Sequence, residues 1–163
     1  MGMAEWSSDM DATDRIILDQ LQADGTQTYA EIGTAAGLSP SAVNDRLKRL
    51  RAEGVIRRMT ADIDPIAVGL SLLAFVLVAV NEPQGERRFR DAMKAAPEVL
   101  ECHHLTGDFS YLLKLRLRDT AHLEQFLMDR LKPLPGVVRT HTLIALSTMK
   151  ETHILPASLS ADA

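Results

Sequence analysis

With a single cysteine, Cys102, this chain can form neither an internal disulfide nor a cysteine-based zinc site, which excludes a secreted disulfide scaffold. Long apolar runs are also lacking. The longest, Leu72 to Val80, is far short of the roughly 20 residues that span a bilayer. The opening MGMAEWSSDMD has no basic start followed by an apolar stretch, so a soluble cytoplasmic protein is expected. Glycine and proline are sparse, at 9 and 7 of 163 residues, which excludes collagen-like and low-complexity chains. Basic residues are not in excess either. Net charge is −4, and a nucleic-acid partner usually leaves a basic footprint. What is present is an ordinary globular mixture, 46% hydrophobic and 25% charged, long enough for one full domain or two small ones.

The charge is unevenly placed. Residues 39–59 hold Arg46, Lys48, Arg49, Arg51, Arg57 and Arg58 against Asp45 and Glu53, a net of +4. Residues 1–38 carry −6 and residues 60–163 carry −2. The basic stretch lies in a helical pattern. Asp11 to Asp24 shows an apolar stripe of Ile17, Leu18 and Leu21, with Asp11 as N-cap and Asp24-Gly25 as stop. Thr28-Tyr29-Ala30-Glu31 has the form of a capping box, and Gly37 follows the second helix, where a left-handed residue is commonly needed. Ser39-Pro40 opens a third helix, whose Val43, Leu47 and Leu50 face inward. Three helices joined this tightly predict a helix-turn-helix. Val55 to Thr60 then reads as a short strand or wing, and Asp64 to Gly69 as part of a linker.

Beyond the linker, strand and helix patterns alternate. Leu72 to Val80, Val99 to Thr106, Phe109 to Arg118 and Val137 to Met149 read as strands, and Glu86 to Ala96 and Asp119 to Leu131 as helices. The third strand alternates most clearly, with Tyr111, Leu113, Leu115 and Leu117 on one side. Ala96-Pro97-Glu98-Val99 and Leu134-Pro135-Gly136-Val137 repeat one helix-to-strand passage. The fold class is therefore α+β: a helix-turn-helix, winged-helix-like domain, then a βαββαβ ferredoxin-like domain. The expected boundaries are a tail over 1–10, the DNA-binding domain over 11–62, a linker over 63–71, the sheet domain over 72–155 and a tail over 156–163. The first strand is apolar on both sides, which predicts that a second copy covers the sheet.

The third helix is the candidate recognition helix. Asn44 and Arg49 have the geometry for bidentate contacts to adenine and guanine, while Ser41, Arg46, Lys48 and Arg51 suit phosphates or looser contacts. Ser39, Asp45 and Arg57 complete the DNA-facing set. A solvated basic face is the plain alternative; the turn, the capping signals and the local charge together favour double-stranded DNA. From the residues alone, Thr106 to Tyr111 is an ordinary hairpin turn. No metal, cofactor or enzyme is expected. His103 and His104 are adjacent on a strand and point to opposite faces, and there is no nucleophile elbow, phosphate loop or HExxH helix.

The segments DRIILDQLQADG, GLSPSAVNDRLKRLRAEGVI, DPIAVGL and ECHHLTGDFSYLLKLRLRD occur in this order. In that order they resemble the Lrp/AsnC family of bacterial and archaeal transcription regulators, over residues 10–156. The resemblance implies a plain or winged helix-turn-helix followed by a ligand-sensing domain, pairing through that second domain, and octamers or other even-numbered assemblies. It also implies an amino-acid effector held between subunits near the Gly-Asp turn, at Thr106, Gly107, Asp108, Phe109 and Ser110, with Thr148 at the end of the last strand on the opposite wall. Many members carry Asp at the place of Ser110, so this chain lacks one carboxylate there and the ligand stays open. The other readings are a nucleoid-organising DNA protein without effector, and an amino-acid-binding module or small enzyme with a vestigial DNA domain.

Overall fold

The computed structural model describes residues 10–81 and 83–157. The chain divides into two units: one takes the residues up to Ala61 together with those from Glu151, and the other is Asp62–Lys150.

In the first unit, α1 spans Ala12–Ala23, α2 Tyr29–Ala36 and α3 Pro40–Ala52. Each begins at a side chain that accepts a free backbone N–H. Asp11 and Asp14 form a reciprocal capping box on α1, Thr28 and Glu31 form one on α2, and Ser39 accepts from the Ala42 N–H ahead of Pro40. Gly37 ends α2 in the left-handed conformation, as its position predicts. Ile17, Ile32, Val43 and Leu47 meet at zero exposure between the three helices. Gly33 is required by close approach: a Cβ there would lie 2.5 Å from the Leu38 carbonyl oxygen, so α2 presses directly on the turn leading to α3.

One expectation for this unit is corrected. No strand or wing forms at Val55 to Thr60. The Ile56 N–H donates to the Leu50 carbonyl, and the Ile56 side chain packs on the helical core instead of entering a ladder. The residues from Glu151 group with the helical unit. They run along α1, where Leu155 exchanges hydrogen bonds with the Gln22 side chain (2.8 and 2.7 Å) and Arg15 donates to the Ala157 carbonyl (2.8 Å).

The second unit is a four-stranded antiparallel sheet of order β2-β3-β1-β4, with β1 at Leu72–Val80, β2 at Val99–His104, β3 at Tyr111–Leu117 and β4 at Val137–Ile144. Helix α4 (Pro83–Ala95) follows β1. Helix α5 (Thr120–Gln125) follows β3 and runs on as a π-helical stretch, Phe126–Leu131. This is the βαββαβ ferredoxin-like order that the alternation predicts. Directly opposed residues share a face. Ala74, Val76 and Val78 of β1 and Leu113, Leu115 and Leu117 of β3 therefore join Phe89, Met93, Phe126 and Leu131 in one core. The opposite face carries Leu73, Phe75, Leu77 and Ala79, beside Leu112 and Leu143.

The last helix keeps its predicted span but changes type within it, and the last strand is shorter than predicted. Phe126 and Leu131 are both buried although five residues apart, a spacing that an α-helix would splay by about 140° and a π-turn brings closer together. Strand β4 stops at Ile144, not Met149, because its partner β1 ends: the Ala145 N–H makes the closing bond to the Leu73 carbonyl.

The helical unit is acid-sensitive for a stated reason. Hydrogen bonds from Arg46 and the Asp14 N–H hold Asp11 below the ordinary carboxylate range, and those from Thr26 and Thr28 do the same for Asp24 and Glu31. A folded-state pKa below the unfolded one stabilises fully above the unfolded value and is lost as pH falls through the folded one. The melting temperature of this unit, followed by far-UV circular dichroism, is expected to be flat from about pH 7 to 5 and to fall below about pH 4.

Candidate DNA-contact and effector sites

Helix α3 buries Val43, Leu47 and Leu50 completely, which fixes the direction of every other side chain on it. At about 100° per residue, Ser41, Asp45, Lys48 and Arg49 leave the helix on the side away from the core, with Asn44 and Arg51 on one flank and Arg46 on the other. Ser41, Asp45, Lys48 and Arg51 are exposed and Asn44 is half-buried. Ser39 sits at the exposed N-terminus of α3 with its hydroxyl engaged as cap. Arg51 reaches the Met59 sulfur, and Arg57 is exposed in the irregular segment after α3. Ser41, Asp45 and Lys48 stand along the outer face of α3, with Ser39 at its N-terminal end and Arg51 in its last turn.

Arg46 and Arg49 are placed differently. Arg46 donates to Asp11 (2.6 Å) and to Asp14 (2.8 Å), and Arg49 donates to the other oxygen of Asp14. Asp14 is wholly buried, and its carboxylate also accepts the Asp11 N–H. The hydrogen-bonded carboxylates raise the affinity of both guanidinium groups for their protons. Asp14 was not legible as a site residue. It occupies an ordinary first-turn position, and only the crossing of α1 and α3 brings it to the arginines.

In the sheet unit, the β2–β3 turn closes through the Leu105 N–H on the Ser110 carbonyl, and Gly107 takes φ +110, a region that an L side chain rarely enters. Thr106, Gly107 and Asp108 are exposed, while Phe109 and Ser110 are half-buried. Ser110 ties the turn to the end of β1: its N–H donates to the Val78 carbonyl, and its hydroxyl accepts from the Val80 N–H (3.2 Å) and meets the Val80 carbonyl (3.3 Å). A residue missed in the sequence joins them. The Arg139 guanidinium on β4 lies 4.5 Å from the Phe109 ring centroid and donates to the Asp108 carbonyl. Only strand order could reveal this, since β4 lies beside β1 and not beside the hairpin in sequence.

Thr148 is not brought to this turn within one chain. The turn adjoins Val78 to Val80, whereas β4 ends opposite Ala74, about 20 Å away along β1. Three residues past Ala145 span at most about 10 Å. Among the described residues, no three His, Cys, Asp or Glu side chains gather as metal ligands, and no helix is long and apolar enough to cross a membrane.

A three-helix unit with an exposed polar recognition helix, together with a βαββαβ sheet unit, defines the class of a helix-turn-helix regulator with an attached ligand-binding domain. The family model "Lrp/AsnC ligand binding domain" matches residues 73–155, and "Winged helix-turn-helix DNA-binding" matches residues 10–57. The chain is 40% identical over 147 residues to the HTH-type transcriptional regulator FL11 of Pyrococcus horikoshii, covering 90% of this chain and 96% of that one. It is 37% identical over 149 residues to the leucine-responsive regulatory protein of Escherichia coli K12, covering 90% and 91%. A transcriptional regulator of Neisseria meningitidis solved as a complex with L-methionine superposes with TM-score 0.88 at 34% identity, covering 93% and 99%. A feast or famine regulatory protein of Mycobacterium tuberculosis, also complexed with L-methionine, gives 0.78 at 36%, covering 89% and 97%. The chain belongs to the Lrp/AsnC family of transcriptional regulators.

The Ser110 hydroxyl is the hinge pin of the β2–β3 turn. Ser110→Ala leaves the Val80 N–H without its partner and is expected to cost about 1–2 kcal/mol in urea unfolding, with the strand content retained.

Proposed function

We propose that the chain represses or activates transcription by placing α3 of each of two paired copies in successive major grooves of a pseudo-palindromic duplex, under the control of an amino-acid effector. The observation that carries this is the outer face of α3. Ser41, Asn44, Asp45, Lys48 and Arg51 stand there beyond a fully buried Val43, Leu47 and Leu50, with Ser39 at the entry and Arg57 following. Asn44 reads bases and the cations hold phosphates.

The effector reading places a zwitterion at the turn of Thr106, Gly107, Asp108, Phe109 and Ser110. It is supported by the L-methionine complexes of two relatives and by the exposed Asp108, whose backbone carbonyl accepts from the Arg139 guanidinium. With Thr148 at the far end of the sheet, a site using both needs a second copy. The apolar face of half-buried Phe75 and Leu77, with Leu143 exposed beside it, supports such pairing, whether it stops at a dimer or goes on to an octamer. The effector then shifts the population of assemblies or of DNA-domain placements. The cytoplasm is the compartment where this chemistry is needed. Engagement of the Ser110 hydroxyl by Val80, where many relatives offer a carboxylate, favours as second reading an effector-independent, nucleoid-organising role.

Two measurements separate these readings. A thermal-shift screen over the amino acids, followed by DNA-binding titrations with each hit, is expected to give a ligand that raises the melting temperature and changes DNA affinity. Folded protein that responds to none and binds DNA with weak sequence preference points to the second reading. Phe75→Asp, which places a charge in the middle of the open sheet face, is expected to yield monomers by light scattering. Unchanged assembly would remove that face from the interface.

A further inference from the structure

Asp14 is the one charged side chain at zero exposure among the described residues, and a buried carboxylate persists only with compensation. Compensation here comes from two arginines one helical turn apart on α3, supplemented by the Asp11 N–H. Both guanidinium groups turn to Asp14 on α1, away from the side of α3 that holds Asn44 and Arg51, although Arg49 leaves the helix as far outward as Lys48. Lending either one to a phosphate would leave the buried carboxylate with a single arginine, a cost that one exposed phosphate contact does not return. The outer arc of α3 is therefore less basic than residues 39–59 suggest: Lys48 and Arg51 against Asp45, a net of +1.

We propose that Asp14 is the positioning residue of the recognition helix, fastening α3 to α1 through Arg46 and Arg49, which are thereby withheld from the DNA. The assignment rests on α3 being the DNA-reading element. It makes two of the most basic-looking residues of the helix internal braces, and leaves Lys48, Arg51 and Arg57 as the cations that neutralise phosphates.

The intact chain is titrated with a labelled mixed-sequence duplex over a series of KCl concentrations, and the slope of log K against log salt is read for each variant. Lys48→Gln is expected to lose about 0.9 of slope, the share of one phosphate contact, while Arg46→Gln and Arg49→Gln keep the parental slope. Asp14→Asn is expected to bind roughly tenfold more weakly with no loss of slope, because it removes no DNA-facing cation. A slope reduced by about 0.9 in either arginine variant overturns the proposal. So does parental affinity in folded Asp14→Asn. Should Asp14→Asn fail to fold, Arg49→Gln decides alone, since Arg46 still compensates the carboxylate in that variant. A parent chain without salt-dependent binding sinks the DNA reading itself, a separate failure.

Discussion

A carboxylate cannot be taken out of water without partners, and the helical unit is arranged around meeting that demand at Asp14. Its apolar core is small, centred on Ile17, Ile32, Val43 and Leu47. The buried stripe of Val43, Leu47 and Leu50 selects the side of α3 that faces inward, by an attraction that is itself non-directional. The Asp14 pairs with Arg46 and Arg49 are directional, and they hold that rotation of α3 against α1. Because that rotation decides which side chains of α3 face outward, the ionic contact bears on the outer face of the helix from its inner side.

The sheet unit answers a different constraint. With β1 at the centre, paired on both edges, its ladder groups are satisfied in full along the strand, and its apolar residues have to go to both faces. One face receives α4, α5 and the π-helical stretch. The other keeps Leu73, Phe75 and Leu77. The same order carries β4 to the end of β1 where the β2–β3 turn arrives, so that Arg139 and Phe109, 30 residues apart, form one contact. The turn is thereby held from two sides, by Ser110 on β1 and by Arg139 on β4.

Much of this was legible before any coordinates. Capping side chains act within a single turn of chain, so Asp11, Thr28, Glu31 and Ser39 announced the starts of all three helices. Alternation along Tyr111 to Leu117 announced β3 and its buried side. Failures occurred where a partner distant in sequence decided the outcome. The wing at Val55 to Thr60 had strand composition but no strand to pair with, and β4 ended where β1 ended. The return of residues 151–157 to α1 includes hydrogen bonds from Arg15 and with Gln22 that no local pattern encodes.

The concentration of charge between Ser39 and Met59, the helix-turn-helix, the order of strands and helices and the family all follow from the sequence alone, because each depends on residue type and short-range spacing. Which of those charges face outward was decided only by tertiary structure. Arg46 and Arg49 look like Lys48 and Arg51 in one dimension. A buried carboxylate more than 30 residues upstream separates them, since its compensation is a three-dimensional requirement.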